Sequence, residues 1–463
     1  MLTSPRLERF AVPALGGLAS VGAPLVLALL LAGVCLVQLA GPVHPNVFIR
    51  TLELVFAGLV LASTPGRAAY PVLSRPAAGV GLAWLGAALL SVAFAGHLWP
   101  ALLWQAEWLA HGLFAATLWI ALRHTPALMR VAALAAALGF VLVVAYLVAT
   151  WIALPSPRSY DWFASPPLFR HVRHLGYYAL GGLLCCAAPL LGAETRTATR
   201  TLLLGGAGMA LCWAVLFWTG GRAAIGAGAV GLVCIVAGCR RGSRLPALLA
   251  AAVAAGLGLW LSTLFAVEDP RLGFLNSLAR TASDTAEGGA NGFTTGRLAI
   301  WAEAVQAAAA HPWLGLGPDN YRLLPPQTHG GVQPHSLFVQ FFVDWGLLGA
   351  VPMVVLLAGA LWQGLARLWA ETDAFLRAAR VAALAFIVSA GVHSLVDGLF
   401  YHAQPLLFLA VAFAVALQPA SGEAQALRTP RRRLTGRAAL WTLWIFLALL
   451  FLLTSNAVYR WLG

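Results

Sequence analysis

VEDPRLGFLNSLARTASDTAEGGANGFTTGRLAIWAEAVQAAAAHPWLGLGPDNYRLLPPQTHGGVQPHSLFVQFFVDWGLLG (267–349) opens as the one long polar segment in an otherwise almost unbroken series of apolar runs. It carries Arg271, Arg280, Arg297, Arg322, His311, His329 and His335, and turns apolar again directly after Pro334. Working outward from it, apolar runs long enough for a ~30 Å hydrocarbon core recur near 22–41, 46–64, 77–96, 99–122, 131–154, 175–192, 201–219, 223–239, 245–266, 337–362, 381–396, 404–418 and 438–456. With 60% hydrophobic and only 10% charged residues, the chain lacks the polar surface to cover a soluble globule. The reading is an all-α polytopic membrane protein of about 12 or 13 transmembrane helices. It forms a single transmembrane domain over 1–463, with 267–335 as one large periplasmic loop, containing short helices, between the ninth and tenth spans.

All 29 basic residues are arginine. With a cytoplasmic N-terminus, alternate loops hold 19 of them, as the positive-inside rule requires. That bias accounts for most of the +13 net charge, so no nucleic-acid partner is implied. The run Arg431-Arg432-Arg433 reads as a retention signal facing anionic lipid. The six cysteines fall in apolar runs or at their ends, with neither a disulfide framework nor zinc spacing. The first apolar run lacks a cleavable small-x-small site and is expected to stay in the membrane.

The remaining arginines sit outside or within spans and need another reason to exist. Arg297 opens a strong helix former, LAIWAEAVQAAAA, near the membrane surface, as a lipid-phosphate anchor or as part of a site. His335 follows Pro334 at the start of the tenth span. There the helix dipole and nearby arginines disfavour the imidazolium, and a neutral ring can accept a proton; the alternative is a plain helix cap. Arg222, after Trp218-Thr219-Gly220-Gly221, lies in a connection too short to let it reach far into water. It requires an anionic partner, either Asp397 internally or a ligand phosphate. Arg170, Arg173 and His174 suit a phosphate-bearing headgroup or simple interfacial anchoring. Arg50 with Glu53, Glu107 with His111, and His393 with Asp397 have spacings that satisfy each pair on one helix face. No paired carboxylate motif stands at a short outer loop, so no metal site is expected and cationic side chains would do a metal's work.

Gly220-Gly221-Arg222, Gly296-Arg297 followed by Trp301, HPWLGLGPDNYR (311–322), PHSLFVQFFVDWGLLG (334–349) and His393-Ser394-Leu395-Val396-Asp397 together resemble the O-antigen ligase and O-antigen polymerase superfamily. The resemblance covers roughly residues 210 to 405 and departs from the family in having Gly221 where Ser often precedes the first arginine. It implies a fold similar to C-type glycosyltransferases in the bacterial inner membrane, with the active site facing the periplasm. The implied reaction is glycan transfer from undecaprenyl diphosphate to a lipid A–core acceptor, inverting and without cofactor or metal. Arg222, Arg297 and His335 map onto the family's essential residues, with Arg170, Arg173, His174, Arg322 and Asp397 as candidates for substrate binding. Partners are the lipid-linked donor, the acceptor and membrane lipids. A polymerase or protein O-oligosaccharyltransferase would use the same donor, and a lipid-linked glycan flippase is the alternative of another class.

Overall fold

A computed structural model describes residues 18–33, 45–64, 74–169, 171–191, 198–239, 242, 244–324, 333–421, 423 and 431–462, with the side chains of 18–20, 45, 188–191, 198–203, 293, 431–436, 453 and 455–462 left undescribed. Its helices are α1 (Leu18–Gly33), α2 (Pro45–Ser63), α3 (Arg75–Ala93), α4 (Leu98–His124), α5 (Leu128–Ala153), α6 (Val172–Leu191), α7 (Ala198–Thr219), α8 (Arg222–Gly238) and α9 (Arg244–Leu264). The polar segment then contributes α10 (Phe274–Phe293) and α11 (Arg297–Ala308), followed by α12 (Leu337–Ala370), α13 (Ala374–His393), α14 (Ala403–Ala416) and α15 (Arg431–Leu462). A helix occupies each apolar run picked out from the sequence, and no strand occurs among the described residues. Helices are the outcome physics demands, because a hydrocarbon surround offers backbone groups no other partner. Six of the described helices are long and apolar enough to cross a membrane, and five shorter apolar helices accompany them. The chain is an all-α membrane protein.

The core runs continuously through the bundle. Helix α14 is buried on nearly all faces, with α13, α4 and α6 against it, and α8 packs on α13. Where helices approach most closely, glycine makes room. A Cβ at Gly258 of α9 would stand 2.5 Å from the Trp213 side chain and 2.7 Å from the Ala210 carbonyl of α7. Membrane-facing surfaces carry exposed apolar side chains such as Leu82, Leu134, Val253, Trp362 and Trp369.

Polar pairing inside the bundle differs from the same-face pairs expected. Arg50 of α2 meets Glu107 of α4 at 3.4 Å, and Glu53 of α2 meets His111 of α4 at 2.8 Å. The partners are exchanged between two neighbouring helices, because α2 and α4 pack side by side and the crossed contacts hold the two together. At the opposite end of the bundle from α10 and α11, the buried Arg380 guanidinium donates to the carbonyls of Arg367, Gln418 and Pro419 and to Glu371 Oε2.

Helix α12 is broken at Gly346, whose φ of +59° no helix accommodates. The break frees backbone groups, and each finds a partner from the HPWLGLG loop or from α3. Val343 O accepts from Leu316 N–H at 2.7 Å, Asp344 O from Ser91 Oγ at 2.6 Å, while Leu347 N–H donates to Pro312 O and Leu348 N–H to Trp313 O. Satisfying such groups is obligatory in an apolar interior. Glycine is required on both sides: a Cβ at Gly346 would lie 2.3 Å from Trp313 C, and one at Gly315 2.5 Å from Val343 O.

Candidate functional site

Asp397 is the centre around which the site is built. It lies just past the end of α13, 94% shielded from solvent, with Gly398 N–H donating to Oδ1 at 2.8 Å. Its Oδ2 stands 3.7 Å from Arg297 Nη2, and its Oδ1 stands 3.4 Å from His335 Nδ1, at an angle short of a hydrogen bond. Tyr177 of α6 lies within hydrogen-bonding reach of the same carboxylate. Burial opposes ionisation of Asp397, but the facing His335 and the charges of His393, Arg173 and Arg297 outweigh it and hold the carboxyl well below its usual range.

Local structure aims these groups. Arg297 is the first residue of α11, set there by Gly296 in the left-handed conformation as N-cap; its Nη1 also donates to Thr294 O at 3.1 Å and to Thr295 Oγ1. Burial lowers the Arg297 guanidinium below its ordinary value, Asp397 opposes that, and Arg173 and Arg222 add to it. His335 is not the cap of α12. Ser336 holds that position, and His335 precedes it at φ +52° while Leu337 N–H donates to Ser394 O at 2.7 Å. Gly398 packs beneath the ring, where a Cβ would meet Gln333 Oε1 at 2.9 Å and His335 Nδ1 at 3.3 Å. With Nδ1 turned toward Asp397, Nε2 is the nitrogen left for a substrate.

Arg222 begins α8, as its position in the sequence suggested, but Asp397 is not its partner. The nearest acceptors come from α10: Arg222 Nη1 donates to Thr281 Oγ1 at 2.6 Å, and Nη2 stands 3.9 Å from Asp284 Oδ2. The reason is a glycine-to-glycine contact. Gly220 (φ +64°) in the turn before α8 abuts Gly273 (φ +88°), the N-cap of α10, and Gly273 N–H donates to Trp218 O at 2.9 Å. That contact docks α10 beside Arg222.

Arg173 is exposed at the start of α6, and its charge is felt by Asp397, Arg297 and Arg280. His174 packs against His402, ring centroids 3.9 Å apart, beside Tyr177. His171 is pushed down to about 4 by burial and by Arg173. Arg322 is turned onto Asp319 at 2.7 Å, a self-contained pair. Arg170 lies outside the described residues. Sequence reasoning did not single out Tyr177, His402, Thr281 or Asp284; Thr281 and Asp284 share a helical row with Ser277 and Arg280, but only the packing of α6, α10 and α14 shows what each of the four meets. Among the described residues, no group of three or more His, Cys, Asp and Glu could hold a metal ion.

Beside Arg222, the ends of α5, α7 and α9 enclose an apolar crevice of about 130 Å³ lined by Leu147, Trp151, Trp162, Leu211, Trp218 and Phe265 among others. Fold and site thus define a membrane-embedded protein with a cluster of arginine, histidine and aspartate side chains at one end of its bundle and an apolar crevice that Trp218 helps to line. Residues 207–354, which contain Arg222, Arg297 and His335, match the family model described as O-Antigen ligase, and this supports the O-antigen ligase superfamily for the chain. Members of that family are glycosyltransferase-like enzymes. No curated protein matches the chain.

Proposed function

We propose that the protein is an O-antigen ligase: it transfers a glycan from undecaprenyl diphosphate to a lipid A–core acceptor at the periplasmic face of the inner membrane. The observation that carries this reading is Asp397, whose one carboxylate faces both His335 and Arg297. An imidazole oriented by a carboxylate is the arrangement of a general base, and guanidinium groups suit a diphosphate leaving group.

In the proposed reaction the acceptor hydroxyl attacks C1 of the donor sugar from the face opposite the diphosphate. The hydroxyl proton passes to Nε2 of His335, and Asp397 stabilises the imidazolium that forms. The C1–O bond breaks with its electron pair moving onto the diphosphate oxygen, where Arg297 and Arg222 disperse the charge. A single displacement inverts C1. Each arginine is assigned a share of the order of 10²–10³ in rate, as for other fixed donors to a developing oxyanion.

The test uses full-length protein in liposomes, given a polyprenyl-diphosphate glycan and lipid A–core oligosaccharide with EDTA present. A glycosylated core is the expected product. Polymer growth on the carrier would instead identify a polymerase, and movement of donor between leaflets without product would identify a flippase.

A further inference from the structure

We propose that α10 forms half of the donor site: Arg280, with Arg222 and the start of α8, grips the lipid-proximal phosphate, leaving Arg297 to the phosphate that bears the glycan. This deepens the reading above and rests on it.

The first support is the pattern on α10. Ser277, Arg280, Thr281 and Asp284 fall at i, i+3, i+4 and i+7, a single helical face. Thr281 and Asp284 both reach Arg222, so the whole row is turned toward the beginning of α8. Among the described residues, two donors on that row are buried without a partner: Arg280 Nε, and the hydroxyl of Ser277, a residue only 1% exposed. Buried donors are ordinarily satisfied, and a pair of orphans on one face marks a place where something else accepts.

Charge points the same way. Burial first and then Arg222 disfavour the Arg280 cation, with Asp284 and Asp269 opposing, and among the described residues its one hydrogen bond runs from Nη2 to Arg271 O at 2.8 Å. Asp284 offsets that repulsion only through a 3.9 Å contact with Arg222, and a phosphate between the two guanidinium groups would relieve it further. Helix α8 contributes further, since its N-cap Gly221 has no side chain to cap the first amides, and a helix start of that kind favours an anion.

Position assigns which phosphate. Trp218, four residues before Arg222, lines the apolar crevice, whereas Arg297 faces Asp397 and His335. An amphiphile whose chain occupies the crevice meets Arg222 and Arg280 first and Arg297 second. The other face of α10, with Leu275 68% and Leu278 50% exposed, suits the headgroup boundary of the same leaflet.

The experiment measures binding of a short-chain polyprenyl monophosphate and the matching diphosphate to full-length protein in nanodiscs. Arg280→Ala is expected to weaken both probes about tenfold, Arg280→Lys to recover part of the loss, and Arg297→Ala to weaken the diphosphate alone. Thermal melting confirms folding, and Arg280→Gln replaces the alanine variant if that fails to fold. Unchanged binding of both probes by the Arg280 variants overturns the assignment, as does a loss confined to the diphosphate. A wild-type protein that binds neither probe overturns the functional reading beneath it.

Discussion

At His335 a non-glycine residue is held at φ +52°, a conformation that costs of order 1 kcal/mol or more and persists only where its surroundings impose it. The Leu337–Ser394 hydrogen bond and the tight seat on Gly398 are those surroundings. His335→Ala should lower transfer by ~10²–10⁴ while donor binding stays near wild type, checked by turnover and by equilibrium binding. Asp397→Asn keeps the shape and removes the charge, so kcat should fall far more than KM rises. The carboxylate's depressed pKa fixes the sign of its pH effect: its contribution to stability is full above the unfolded value of ~3.9 and is lost only as pH falls through the lower folded value. Asp397 therefore stays ionised from about pH 5 to 8, and His171, at about 4, stays neutral there. Neither group changes charge over that window, so neither is expected to shape the rate between pH 5 and 8, and a pH–rate profile of Asp397→Asn that differs in form from wild type there would count against the depressed carboxylate.

Among the elements, α12 shows what the sequence displays and what it conceals. HPWLGLG and DWGLLG read as two separate motifs, yet they are one structure: the first supplies the partners for the backbone groups that Gly346 frees in the second. Gly346→Ala should destabilise by several kcal/mol, as steric exclusion at 2.3 Å is added to an unfavourable φ, and a melting curve in detergent would register the loss. The helices themselves were legible, because a hydrocarbon core demands about 20 consecutive apolar residues and leaves that demand in the composition. Arg222, Arg297 and His335 were legible too, as polar residues at helix starts. Their partners were not. Spacing pointed Arg50 to Glu53, and Arg222 to Asp397 or a ligand phosphate; contacts between distant segments gave them Glu107 and Asp284 instead.

For the molecule as a whole, two polar centres sit at opposite ends of one apolar bundle and do different work. Arg380 closes the end away from α10 and α11, tying α13 to the ends of α12 and α14 through four acceptors while only 1% exposed. Removing one partner of such a buried pair costs ~3–5 kcal/mol. Arg380→Ala should accordingly lower the melting temperature sharply, while turnover per folded molecule, measured below that temperature, stays near wild type because the residue is remote from Asp397. The site end is organised the other way round, with its cations spread over looser contacts, Arg222 facing Asp284 at 3.9 Å and Arg297 facing Asp397 at 3.7 Å.

The interruption at Gly346 leaves Leu337–Trp345 as a stub of two and a half turns, ~14 Å long, carrying the imidazole on its tip. A rigid rod running the depth of the bundle would fix that ring once and for all. A stub on a glycine joint is instead aimed by the 312–316 peptide that braces it: a tilt of ~10° at its root would displace the tip by ~2 Å, the difference between an imidazole in register with Asp397 and one out of reach. The aim of the proposed base therefore depends on a brace some two turns away as well as on the contacts at its tip.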